Sequence, residues 1–310
     1  MLPAALFAAF LALQPPPTAP AAEGPSTEVA EVVVTARRSG VPIWRVGDDR
    51  SAVVIVGGIG AVPENVAWNT QALEQAVARS RRVIAGGRAS FTLGDIFRLL
   101  FRRGRYVDLP EGQSLETLTG PELAARLDAL AVADRLPRDW RQNRAWFVAL
   151  RLNFALTREA RDGTTALEAA ERAARRAHVP SEPVLSVRFN DVLESAAQDR
   201  PSDRACLEAA VTAAEAGAAG LRERAEAWSR SRLADVADAP LSRAEGACWP
   251  EADPAGAPAL RQAWRDAFRR ELTQPGVVVA VVPIRYAVER GGLLDDLEAQ
   301  GLAIEGPSWR

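Results

Sequence analysis

SAVVIVGGIG, residues 51–60, is an apolar, β-branched run that closes on a cluster of glycines, and GVVVAVVPIRYAVERGG, residues 276–292, answers it far downstream. Runs of this length and composition read as strands buried on both faces. Each feeds a glycine-bearing turn and then a helical pattern. Upstream, PIWRV (42–46) and GDDR (47–50) predict a strand and a tight turn. Downstream, Asn69 or Thr70 is placed to cap a helix carrying Leu73, Ala76 and Val77 at helical spacing. Residues 83–85 then return as a short strand, expected to lie beside the first. This alternation predicts an α/β class, a mixed β-sheet core flanked by many α-helices.

Composition narrows the function. The net charge is −2: there is no lysine, and 38 arginines are slightly outnumbered by 40 carboxylates. A nucleic-acid surface needs clustered, uncompensated positive charge, so that class is excluded. Residues 2–13 form an apolar stretch too short to span a bilayer, followed by prolines and a small-residue site at Ala21 and Ala22. We read residues 1–22 as a cleaved export signal, which places the chain in the periplasm, and residues 23–41 as a linker or extended segment. A single domain is expected over 42–310, with no integral membrane span. Cys206 and Cys248 in an exported protein most simply form one disulfide; two buried free thiols are the alternative.

The segment EVVVTARR (31–38) reads as a short edge strand or extended lead-in. It resembles the region near the TonB box of outer-membrane receptors, which raises TonB as a partner through strand addition. Residues 92–177 read as a helical insertion: 94–101 carries Ile96, Leu99 and Leu100, Pro121 opens a helix, and 140–156 carries Trp146, Phe147 and Phe154. Those aromatics read as core, with a ligand platform as the alternative. EPVLSVRF (182–189) is strand-like. Helices are expected over 203–216, 221–233, 259–271 and 293–300, with a Pro, Gly and Ala-rich break at 247–258.

From residue 42 to about 306 the chain resembles the TraB/GumN family, related to the Tiki and erythromycin-esterase-like proteins. The resemblance rests on Ile43, Trp44, Arg45 and Val46; on the turn Gly57, Gly58, Ile59 and Gly60; and on Pro63, Trp68 and Leu73. Later come Arg261 with Gln262, the strand 277–282, the turn 283–287, and the closing helix pattern 292–297. The cysteine pair, with Ala227 and Trp228 between, also resembles a pattern of exported members.

The resemblance implies metal-dependent peptide hydrolysis of the Tiki type, with histidine and glutamate ligands at the strand ends. At the matching positions this chain carries Gly60, Ala85 or Gly86, Arg188 and Tyr286. Glycine and alanine offer no donor atom and arginine repels a cation. We therefore expect no metal, no cofactor and no catalytic residue in the family position, and a protein acting by binding a peptide, an anion or an envelope protein. A hydrolase with relocated groups and a TonB-associated accessory module are the alternatives. His178, the one imidazole, reads as a helix carboxyl-terminal residue. Candidate ligand-cleft residues are Gly57, Gly58, Gly60, Arg188, Arg261, Arg285 and Tyr286, a set suited to a carboxylate unless its arginines merely decorate the surface.

Overall fold

A computed structural model describes residues 25–158, 160, 162–196, 198, 200, 202–248 and 256–310. The expected export signal lies outside them.

The described residues open with helix α1 (Pro25–Arg37). Strands β1 (Ile43–Gly47) and β2 (Ser51–Gly58) then form a hairpin in which Val46 faces Val53. The Asp48 carboxylate accepts the backbone N–H groups of Arg50 and Ser51, which closes the turn and holds that carboxyl below its usual range. Helix α2 (Thr70–Ala78) is capped by Asn69, whose side chain accepts from Ala72 N–H, and it buries Leu73, Ala76 and Val77 as their spacing predicts. Strands β3 (Arg82–Ala85) and β4 (Arg88–Ser90) follow.

Residues 92–177 contain α3 (Leu93–Phe101), α4 (Arg103–Val107), α5 (Leu115–Thr119), α6 (Pro121–Val132), α7 (Ala145–Arg158) and α8 (Ala166–Ala177), the last of which buries alanines in the main core. Strands β5 (Ser181–Pro183) and β6 (Ser186–Arg188) lead into α9 (Phe189–Ala196) and the long α10 (Ser202–Trp228). Helices α11 (Leu233–Asp238), α12 (Pro240–Ala247) and α13 (Gly256–Leu272) precede strand β7 (Gly276–Pro283). Helices α14 (Ile284–Val288) and α15 (Leu293–Ala299) and strand β8 (Ile304–Glu305) close the chain.

The main sheet is mixed and six-stranded, in the order β5-β3-β7-β2-β1-β8. Strand β7 lies between β2 and β3, parallel to both, so β3 is not the neighbour of β2 that sequence order suggests. The physical reason is burial. Residues 277–282 are all buried, a run of valines broken only by Ala280, and a strand with no polar face is most stable with a neighbour on each side and helices above and below.

Two further expectations are corrected. Residues 25–37 of the expected linker are helical, and Val29, Val32, Val33 and Ala36 bury their side chains in the main core at i, i+3, i+4 and i+7 spacing. β-Branched residues favour strands, yet here a helical stripe of valines buries more apolar surface against α2 and β7. The exposed strand edge on which TonB docking depended is therefore absent from the 31–37 segment. The strand-like 182–189 stretch also divides: β5 joins the main sheet beside β3, while β6 pairs with β4 in a separate two-stranded sheet.

The expected helices over 203–216 and 221–233 run as one path with a break at Gly217, whose backbone (φ 57°, ψ −150°) is one that only glycine adopts readily. That path ends at Trp228, and Leu233 begins the next helix. A second core packs Leu123, Leu127, Trp140 and Leu152 against Leu207 and Val211 of α10.

Candidate functional site

Strands β2, β7, β3 and β5 run parallel, so their carboxyl ends share one edge of the sheet. In α/β sheets this edge is where ligands sit. Gly57 and Gly58 face Val282 and Pro283 there, and Ala85 pairs with Pro183. Gly60 lies just past β2, and Arg285 and Tyr286 sit in the first turn of α14.

The glycine turn is held from both sides. A Cβ on Gly57 would lie 3.2 Å from both the Trp44 ring and the Ile284 side chain, so the position is tight for anything larger. The Trp228 indole N–H donates to the Gly57 carbonyl at 2.7 Å, and its ring meets Trp68 edge-on at 5.2 Å. Each tryptophan combines large apolar burial with a donor aimed at a backbone carbonyl, Trp228 at Gly57 and Trp68 at Thr164.

Charge at the edge is internally balanced. Glu245 of α12 approaches Gly60, to whose Cβ position its carboxylate would be 3.7 Å distant. It receives both terminal nitrogens of Arg224, a residue only 1% exposed. Glu289 accepts from Arg261 at 2.8 Å and lies 3.7 Å from Arg285. Arg265 is paired with Asp296 at 2.6 Å. A Cβ on Gly246 would fall 1.9 Å from the Arg285 Nε, so only glycine there lets the guanidinium lie against α12.

Four guanidiniums thus meet three carboxylates, leaving little uncompensated charge for an incoming anion. Tyr286 is buried, and its hydroxyl has no hydrogen-bond partner among the described residues. Burial, reinforced by nearby Asp296, pushes the phenol well above its usual range, so it stays neutral as a potential hydrogen-bond donor.

Of the candidate residues, Gly57, Gly58, Gly60, Arg285 and Tyr286 come together at this edge. Arg261 is tied to the group through Glu289. Arg188 does not join them. It is on β6 of the separate sheet, largely exposed and paired with Asp191 at 3.0 Å. The residue that ends the strand beside β3 is Pro183. His178 is exposed and caps α8 in a left-handed conformation (φ 56°).

Sequence reasoning missed Arg224, Glu245, Gly246, Glu289 and Asp296. The ion pairs join residues 21, 28 and 31 positions apart, a separation no local periodicity reveals. Trp228 had one visible signal, its place between the two cysteines. The disulfide does form, joining Cys206 of α10 to Cys248 at the end of α12 with Cα atoms 4.7 Å apart.

A divalent ion in the family position requires imidazoles and carboxylates around an open coordination site. Gly60, Ala85, Gly86, Pro183 and Tyr286 supply none of these. Among the described residues no group of three or more His, Cys, Asp or Glu side chains is arranged to hold a metal. The residues present do not fit the metal that the resemblance implies, and no hydrolytic step is derived through one.

The profile of the TraB/PrgY/gumN family matches residues 42–306, most of the chain, from the first strand of the hairpin to the turn after β8. No curated protein and no solved structure matches. The hairpin, the glycine turn after β2 and the strand–turn–helix unit of β7 and α14 all fall inside the matched span, and the chain belongs to the TraB/PrgY/gumN family.

Proposed function

We propose that this protein is a non-catalytic member of its family, exported to the periplasm, that acts by binding rather than by hydrolysis. The observation that carries this reading is the chemistry of the strand-end edge. Residues that should supply metal ligands there are glycine, alanine, proline and a neutral tyrosine, and three of the four surrounding arginines, Arg224, Arg261 and Arg265, are matched by carboxylates. Such an edge can position a ligand through hydrogen bonds and shape, but it has no group poised to activate water.

The pairing of Arg224, Arg261 and Arg265 also shifts the expected ligand away from a simple anion. A peptide or an envelope protein that offers both donors and acceptors suits an edge of alternating charge better. A peptidase assay on the processed protein with a broad set of quenched peptides tests the reading. Turnover at the buffer rate with added Mn, Co or Zn is expected; cleavage that needs one of these metals and stops with EDTA would overturn it.

A further inference from the structure

Around residues 88–105 the surface changes character. Phe91, Leu93, Phe97 and Phe101 are exposed, Leu93 by 77% and Phe101 by 84%. Positions 93, 97 and 101 are four apart along α3 and share one helical face, and the Phe97 and Phe101 rings stack with their planes 10° apart. The patch continues into α7 through exposed Leu150 and Phe154, which with Phe91, Trp146, Phe147 and Phe189 line an apolar cavity of about 460 Å³. Monomeric soluble proteins rarely leave an apolar area of this kind to water. The aromatics of the 140–156 stretch, read from sequence as core, are therefore partly a surface.

The same segment carries Arg88, Arg98, Arg102, Arg103 and Arg105 against one acid, Asp95, in a protein whose net charge is −2. Asp95 is turned inward, where it accepts from Thr92 at the start of α3 and offers no negative charge to a partner. Arg88 and Arg105 are shared with Glu171 and Glu194 at the rim, and Arg102 is exposed.

We propose that this face docks on an anionic bilayer surface, with α3 in the headgroup layer, Phe91, Leu93, Phe97 and Phe101 entering the acyl boundary, and Arg88, Arg102 and Arg105 against lipid phosphates. Apolar aromatics beside a basic cluster are what an interfacial helix requires: each part alone binds a membrane weakly, and together they hold. A second copy of the chain is a poorer occupant. A two-fold contact sets a patch against itself, and this one would bring its arginine cluster against its own copy. No described helix is long and apolar enough to cross a membrane. The inference stands whether the strand-end edge binds or cleaves.

Flotation of the processed protein with lipid vesicles tests it. Vesicles of phosphatidylcholine with about one-third phosphatidylglycerol are expected to carry the protein, and phosphatidylcholine alone to carry much less, with salt weakening the capture. Phe97→Asp with Phe101→Asp should lower partitioning at least about tenfold, since both rings are exposed and their burial in lipid is the apolar term. Arg102→Glu should lower it severalfold, and both variants should keep the parent melting temperature. Absence of capture at low salt, or equal capture of the Phe97/Phe101 variant, would overturn the proposal. So would a dimer that dissociates on the same substitutions while vesicles capture nothing, which would assign the face to a second copy.

Discussion

Replacing Trp228 with alanine is expected to cost about 3–5 kcal/mol of folding stability, as for other fully buried tryptophans. Trp228 is wholly inaccessible to solvent in the main core, so truncation leaves a cavity between α10 and the end of β2. It also removes the donor that satisfies the Gly57 carbonyl, a contribution of about 1 kcal/mol. Trp228→Phe separates the two effects. It keeps most of the ring volume but leaves the carbonyl unpaired, and should cost about 1–3 kcal/mol. Urea unfolding of the three proteins is the measurement. A loss below about 1 kcal/mol for Trp228→Ala would mean that the strand-end turn does not depend on this clamp.

The second large effect belongs to the disulfide. Cys206 and Cys248 are 42 residues apart, and closing a loop of that length should stabilise by about 4 kcal/mol through the unfolded chain. The bond ties α10 to the end of α12, and α12 carries Glu245 and Gly246 at the strand-end edge. Cys206→Ala with Cys248→Ala, or full reduction, should therefore lower the urea midpoint and also loosen the edge. Amide exchange in α12 should quicken in the reduced protein by more than it does in β7, which the sheet holds on both sides. An unchanged midpoint with reduction verified by mass would contradict the account.

Much of the fold was legible because burial on both faces writes itself into composition. Strands β2 and β7 could be read from their valines, and α2 from Asn69 followed by Leu73, Ala76 and Val77. The failures share a cause, in that local preference was overridden by long-range packing. Three consecutive valines in α1 look like a strand, and only the presence of α2 and β7 beneath them makes a helix the better burial. Likewise nothing within EPVLSVRF tells the chain to leave one sheet after Pro183 and enter another at Ser186.

At the edge itself, the identity of the residues that follow β2 and β7, Gly60 and Tyr286 among them, was visible in the sequence. Pairing of the arginines was not, because Arg224, Arg261 and Arg265 meet their carboxylates only after the helices pack. Arg188 was misplaced for the same reason as β6, since it was counted along a strand that the chain had already left.

The central claim is that the carboxylates at the strand-end edge, Glu245, Glu289 and Asp296, are engaged by arginines rather than free to hold a dication, and calorimetric titration of the processed protein with Mn, Co and Zn, after removal of bound metal by chelation, measures it most directly. The account predicts no saturable site at that edge. A stoichiometric site of micromolar affinity or better that is lost on substituting Glu245 or Glu289 would contradict it.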